Sequence, residues 1–549
     1  MKMRKKGTKK FKESRIIPSH NTNSPESKKN LALVFSLFFG VGATIAIFSG
    51  ADASFDTLNY HLFNGWATFR STKQDYLPTS IWTFFPSHLD FLYYQIWSIM
   101  PSAGLSTIVG GMQGLLGFFV YRTVQMFEDN ESKISNKGIL FGLIALSSPL
   151  IRGQFGNSMH DGSLVMLEFY VIYKYLQTRL HSTNRVPMRI PIILALILAF
   201  KPAHIVFVFL AIIVFLPHSR NIKKVLASIS IFTFTYIAFS IPWWYKSFAI
   251  TGTPIFPYLQ IGDKDLLSGG VILHSYEEWE IHSFSKFLLN LFYPGGSPSV
   301  NHEIPFIDFT FPITFLLGLS FFILLLAKRI QIAGGADPIA IGCQLFAFAV
   351  LVFTVNQFVF TGIRYILIVY PIAVTVLGIW STCGKNRIQE IVNVSVVTLV
   401  TLNLLLPNSV YLPNRIDPLF NSNFPDYGRT NNTFIRPIRS GFIPTYPISD
   451  KDYVLLGQEQ VSFVAALWNQ ESNFMGLQAY ILGDDAKHEM RARLSTTTAR
   501  GGTIYIVALT QNLVTMKSQL EGVSVKYQIS ECKIVKNPYK RDISMCKVI

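Results

Sequence analysis

Asp56 and His61 stand five residues apart in SFDTLNYHLFNGWA, Ser54 to Ala67, just beyond the first long apolar segment of the chain. A carboxylate at that place lies near a lipid–water boundary, where a proton acceptor can serve chemistry on a lipid-linked substrate. Asp is also a favoured helix N-cap, so capping a helix begun at Thr57 is the alternative role for Asp56. His61 either orients the acid or the acceptor, or packs at the interface with Tyr60 and Trp66. Asp52 is the reserve carboxylate. In GNSMHDGS, Asp161 is a second acidic candidate beside His160, with capping of the following span as its alternative. Arg364 begins a late apolar segment, and its guanidinium can hold a phosphate through two parallel hydrogen bonds. Lys201 and Lys246 are the next cations, and snorkelling to lipid headgroups is the alternative for all three. No CxxC pair marks a metal or redox centre, and no residue set is assigned to a metal. A divalent ion stays open as a cofactor, and Asp56, His160 and Asp161 are the residues it would use.

The elements that position these residues follow from composition. With 50% hydrophobic and 15% charged residues among 549, the chain is mostly membrane-embedded. A net charge of +16 raises nucleic acid as a partner, but the basic residues flank apolar segments instead of lining aromatic-rich soluble stretches. Residues 1–30 form a polar, Lys/Arg-rich tail expected to be disordered and cytosolic. Leu31 to Ser49 then carries no charge over a length that spans a ~30 Å hydrocarbon core. Ala51-Asp52-Ala53 mimics a signal-peptidase site, but the apolar stretch is longer than a signal sequence needs, and an uncleaved anchor is expected.

Further apolar segments run from Leu105 to Val120, Gly138 to Leu150, Leu164 to Leu176, Ile190 to Phe200, Pro202 to Leu216, Val225 to Trp244, Phe311 to Ala327, Ile339 to Phe360, Tyr365 to Trp380 and Ile391 to Leu406. Together these make about eleven spans in a transmembrane domain, residues 31–407. Lys and Arg recur in alternate loops, at Arg122, Lys133 and Lys137, then Arg179, Arg185 and Arg189, and so on to Lys385 and Arg387. That alternation places the N-terminus in the cytosol and the loops 50–103 and 245–308 outside. Pro86 to Met100 carries His88 and Asp90 among Tyr and Trp and reads as an interfacial helix, since counting it as a span would put the basic loops outside. Lys201-Pro202 interrupts one long apolar run and makes a tight outward turn. Residues 408–549 are polar, with strand-like YVLLG, TIYIVAL and VSVKYQI between helix-like VSFVAALW and DDAKHEMRARLS. They are expected to form a small α/β extramembrane domain, periplasmic if the membrane is a bacterial cytoplasmic one. Cys532 and Cys546 fall there and can pair in an oxidising compartment.

The chain resembles the GT-C superfamily of polytopic glycosyltransferases, which includes protein O-mannosyltransferases and the enzymes that move aminoarabinose onto lipid A. The resemblance is carried by FDTLNYHL followed by a Pro-containing aromatic helix, by FKPAH (Phe200 to His204), by IPWWYKSFAITGTPIFPYL and by GIRYILIVYP. Lys246 and Ser247 stand where the family has Arg and Asn. The resemblance covers Leu31 to about Leu406 and implies a sugar transferase with a polyprenyl-phosphate donor, working at the outer membrane face with a first-loop acid as general base. Asp56 takes that place with His61 beside it, and Arg364, Lys201, Lys246, Tyr60 and Asp161 are the expected substrate-binding residues. The acceptor would be a glycan, a lipid or a protein of the cell envelope.

Two other classes compete. A polysaccharide polymerase or ligase would use outer-face Arg and His without needing a first-loop carboxylate. A lipid-linked sugar transporter or flippase would place ionisable residues in mid-span, where this sequence is nearly bare of them, and the absence of a visible internal repeat also counts against it.

Overall fold

The computed structural model describes residues 25–52, 56–68, 75–128, 133–180, 187–215, 222–255, 310–326, 337–359, 366–382, 386–405, 429–430 and, with short gaps, 446–549. Arg364 and nearly all of the long 245–308 loop lie outside the described residues. So do Cys383 and the N-terminal tail up to residue 24.

Helices occupy the apolar stretches: α1 (Pro25–Ser49), α4 (Ser102–Gln125), α5 (Asn136–Ser147), α7 (Asp161–Leu180), α8 (Arg189–Phe200), α9 (Ile205–Phe215), α10 (Ile222–Thr251), α11 (Thr310–Leu326), α12 (Pro338–Val359), α13 (Val369–Ser381) and α14 (Asn386–Leu405). Within these, Ser27–Ser49, Ser102–Gln125, Ile222–Thr251 and Pro338–Asn356 are long and apolar enough to cross a membrane. Several of the others are shorter apolar helices. The short helices α2 (Leu62–Ala67), α3 (His88–Ile99) and α6 (Pro149–Gln154) lie in the connections. α10 bears exposed Phe234, Ile237, Phe239, Ile241 and Phe248, a face suited to lipid tails and not to water.

Glycine sets how α1 meets α4. A Cβ on Gly42 would fall 2.2 Å from the Gly110 carbonyl oxygen, and one on Gly114 would fall 2.3 Å from that of Phe38. The two backbones therefore touch, in the manner of small-residue packing between membrane helices. As α1 runs from Phe38 to Ala46 its partners on α4 run back from Gly117 to Gly110, so the pair is antiparallel. α1 thereby delivers strand β1 (Ala51–Asp52) to the end of the bundle where α4 begins.

Beyond α14 the chain returns to that same end. β2 (Arg429–Thr430) pairs antiparallel with β1, Asp52 opposite Arg429. Residues 453–548 then form a mixed sheet in the order β4-β3-β5-β7-β6, from β3 (Tyr453–Leu456), β4 (Asn473–Gly476), β5 (Ile504–Leu509), β6 (Ile529–Val535) and β7 (Ile543–Val548). β3, β4 and β5 are parallel and joined by α15 (Phe463–Trp468) and α16 (Asp484–Ala499), with α17 (Leu513–Gly522) after β5. Every residue of β3 and β4 is buried, as expected of parallel strands covered on both faces. Of VSVKYQI, Val523 caps α17, residues 524–527 lie outside the described residues, and Ile529 begins β6. Cys532 and Cys546 face each other across β6 and β7 and are bonded.

The sheet does not stand apart from the 50–103 loop. Tyr76 bridges to Met475 in parallel, with the Tyr76 amide donating to Phe474 O at 2.9 Å and the Gly476 amide to Leu77 O at 3.1 Å. The loop thus joins the sheet at its β4 edge through a single bridge. Leu58, Leu62 and Phe63 share one buried cluster with Val461, Phe463, Val464 and Phe474, so the segment carrying His61 packs directly on α15 and β4.

Candidate active site

Residues 56–67 form a compact helical segment, π-helical from Thr57 to His61 and then α2. Its first residue, Asp56, is buried and makes no side-chain capping hydrogen bond, so the capping role is not the one it fills. The extra residue per turn of a π segment re-aims the side chains that follow, a common device at functional sites. Asp52 holds the start of this segment in place. Its Oδ2 accepts from Thr57 Oγ1 at 2.5 Å and from the Ser158 amide at 2.7 Å, and Thr57 Oγ1 also meets Ser158 Oγ.

The tightest cluster forms around Asp90 on α3. His61 Nδ1 donates to Asp90 Oδ1 at 2.5 Å and His160 Nε2 donates to the same oxygen at 2.8 Å. All three residues are buried. Gly65 makes this approach possible: a Cβ there would fall 2.3 Å from the Asp90 carbonyl oxygen and 2.7 Å from Tyr94 Cβ. Burial alone would raise the Asp90 carboxyl, but the charge and hydrogen bond of His61 and the bond from His160 outweigh it and bring it to about 2. His160 is lowered by its burial, against the pull of the Asp90 hydrogen bond. Asp90 is therefore a carboxylate at neutral pH and His160 a neutral imidazole.

These are the protonation states that metal ligands need. His61, Asp90 and His160 each offer a ligand atom, all within 4.8 Å of one another. Two imidazoles and a carboxylate suit a divalent transition metal. His61 Nε2 is buried and without a hydrogen-bond partner among the described residues. The set differs from the Asp56, His160 and Asp161 of the sequence reading: His160 is shared, and His61 and Asp90 take the other two places.

His160 reaches Asp90 from an unusual backbone. Its φ is +66°, the left-handed region that a non-glycine residue seldom occupies, and Gly156 four residues earlier is at +74°. Gln113, buried in α4, holds this turn by accepting from the Gly156 amide at 2.8 Å. The left-handed step lets successive residues serve two clusters. His160 joins Asp90, while Asp161, at the start of α7, pairs with Lys201 Nζ at 2.6 Å and with His204 Nε2 at 3.3 Å. Lys201 also donates to Met159 O at 2.8 Å. Lys201 ends α8 at the break made by Pro202, where the chain turns through a 3-10 turn, Pro202–His204, into α9. Asp161 is thus an ion-pair partner and not simply a cap.

The remaining expected residues fall at the margin. Tyr60 is buried and stacks on Trp82 with ring centres 5.8 Å apart, so it walls the site. Lys246 lies on α10, within electrostatic reach of Asp75 and Asp90, and the same end of α10 is tied down by Trp243 Nε1 donating to Phe84 O. Sequence reasoning assigned no role to Asp90, His204 or Glu168. The signals were present: an acid among aromatic residues in α3, the His of FKPAH, and a carboxylate inside the apolar run Leu164 to Leu176.

No model of a known protein family matches the chain, and no curated protein matches it. Among solved structures it is similar to ArnT from Cupriavidus metallidurans bound to undecaprenyl phosphate, with TM-score 0.40 and 11% identity over 94% of this chain and 97% of that one. It is similar also to the Archaeoglobus fulgidus oligosaccharyltransferase in complex with Zn and sulfate, with TM-score 0.40 and 11% identity over 88% of this chain and 70% of that one. Likeness at this level assigns no residue a role.

Proposed function

We propose that this protein is an inverting glycosyltransferase that moves a sugar from a polyprenyl-phosphate donor to a cell-envelope glycan, lipid or protein at the outer face of the membrane. The observation that carries the reading is the gathering of carboxylates, imidazoles and a lysine at one end of an apolar helix bundle: His61, Asp90 and His160, with Asp161 and Lys201 joined to them through the His160–Asp161 peptide. Buried ionisable groups are costly next to a membrane and persist where chemistry or binding uses them.

In the reaction an acceptor hydroxyl oxygen bonds to the anomeric carbon as the bond from that carbon to the phosphate oxygen breaks. The electron pair leaves with the polyprenyl phosphate, and the hydroxyl proton passes to a base. Asp56 is that base, and His61, fixed by Asp90, orients the acceptor through its open Nε2. Lys201 meets the departing phosphate, with Lys246 and Arg364 as further cations. A divalent ion held by His61, Asp90 and His160 in place of the hydrogen bonds they share would, when bound, add positive charge near that phosphate. The exposed apolar face of α10 gives the prenyl chain a surface continuous with the lipid.

The test is transfer from a polyprenyl-phosphate sugar by the purified protein in proteoliposomes. Transfer by the wild type and its loss in Asp56→Asn are expected. Movement of the lipid-linked sugar across the bilayer without transfer would replace the proposal with a flippase, and chain extension of a glycan already on its lipid would replace it with a polymerase.

A further inference from the structure

Beneath Lys201 runs a line of ionisable groups, Asp161, His204 and Glu168, that the reaction above does not use. Glu168 lies seven residues after Asp161 on α7, two turns along the same face and deeper in the bundle. His204 sits between them: its Nδ1 faces Glu168 Oε1 at 2.9 Å and its Nε2 faces Asp161 Oδ1 at 3.3 Å. Asp161 in turn holds Lys201. Asp161 is 0% exposed and Glu168 and His204 are 1% exposed, whereas the Lys201 side chain is 20% exposed. The line therefore opens to the outside only at the lysine.

With a carboxylate oxygen facing each ring nitrogen, both nitrogens of His204 donate and the ring is an imidazolium. The four groups then alternate in sign as Glu168, His204, Asp161 and Lys201, and the sum is neutral. Neutrality lets the line stay buried, and alternation decides what Lys201 can do. Part of the Asp161 charge is committed to His204, so the ammonium is held in place without being fully neutralised. Without His204, Asp161 would lose that partner and give more of its charge to Lys201. Glu168 Oε2 has no hydrogen-bond partner among the described residues, so the support of that carboxylate comes through Oε1 and His204.

We propose that Glu168 and His204 are positioning residues that share out the charge of Asp161 and so keep the Lys201 ammonium available to the phosphate of a polyprenyl-phosphate ligand. This rests on the transferase reading and adds two residues that touch neither substrate nor reacting atoms. The His160–Asp161 peptide couples the line to the Asp90 cluster, but the effect expected is on phosphate binding.

The experiment measures polyprenyl phosphate binding to the purified, folded protein, with Glu168→Gln and His204→Gln made both in the wild type and in Lys201→Met. In the wild type each substitution should weaken binding roughly tenfold, the scale of one lost charge-assisted contact. In Lys201→Met neither should weaken it further, because the group through which they act is gone. Equal losses in both backgrounds would show a general packing defect and overturn the proposal, as would unchanged binding in the wild-type background. If Glu168→Gln does not fold, His204→Gln carries the same test. A wild type that binds no polyprenyl phosphate would overturn the transferase reading and this one together, whereas a binding wild type with insensitive variants overturns this one alone.

Discussion

Adding one methyl group at Gly65 should cripple the site while leaving every site residue unsubstituted. The Cβ of Gly65→Ala would fall 2.3 Å from the Asp90 carbonyl oxygen and 2.7 Å from Tyr94 Cβ. Ordinary contact between such atoms is about 3.5 Å, so α2 and α3 must separate by roughly 1 Å. Two opposing effects set the stability. Alanine gains about 0.5 to 1 kcal/mol over glycine inside a helix, and overpacking costs about 1 to 3 kcal/mol, so a net loss near 1 kcal/mol is expected. The catalytic effect is larger. A shift of that size stretches the 2.5 Å bond from His61 to Asp90 beyond hydrogen-bond range and releases the imidazole from its orientation. Misplacement of about 1 Å is worth on the order of 10²-fold in rate. The assay is initial transfer rate in proteoliposomes beside a thermal unfolding curve from the same preparation. A Gly65→Ala protein with wild-type turnover would refute the claim that the fit of α2 on α3 sets the His61–Asp90 contact.

Asp56→Asn keeps shape and removes the proton acceptor, so turnover should fall ~10²- to 10⁴-fold at unchanged thermal stability; near-normal turnover would move the search for the base to Asp52 and Asp161. Purified wild type should retain a divalent transition metal on elemental analysis after passage over a chelating resin, and Asp90→Asn or His160→Ala should lose it, whereas equal metal in all three would place any ion elsewhere. Alkaline phosphatase fused after Ile549 should be active, since β2 pairs with β1 and ties the C-terminal sheet to the end bearing the 50–103 loop; an inactive fusion beside a bright cytosolic reporter would reverse the orientation. Replacing Cys532 and Cys546 together by serine opens a 14-residue loop and should destabilise the C-terminal sheet by about 3 kcal/mol, read as faster proteolysis between β6 and β7; unchanged proteolysis would mean that the bond contributes little there.

Much of the helical layout was legible because an apolar run of spanning length has few other uses. The helix at His88–Ile99 could be separated from the spans because its acid, His and aromatic residues fit an interface. His61, Lys201 and Asp161 stood out as ionisable groups at the ends of apolar runs. Their partners did not, because local spacing does not encode them: Asp90 lies 29 residues from His61 and 70 from His160. Glu168 was passed over for a different reason. A lone carboxylate in an apolar segment looks like an exception to a bare span until His204, 36 residues on, is seen against it. The left-handed φ of His160 had no signal at all, since nothing in GNSMHDGS requires it.

The bridge that joins the 50–103 loop to the sheet has a consequence for the order in which the protein is made. Asp75 Oδ1 accepts the amide of Phe474, a contact across 399 residues of chain. When the ribosome has finished the loop bearing Asp56, His61 and Asp90, the surface against which Leu58, Leu62 and Phe63 pack does not yet exist. Contacts of such sequence separation form late. The nascent chain thus carries His61 and Asp90 through most of its synthesis on an unsupported loop, and that loop gains its second wall only when β4 and α15 emerge. The packing that supports this loop is therefore completed only in the last quarter of the chain.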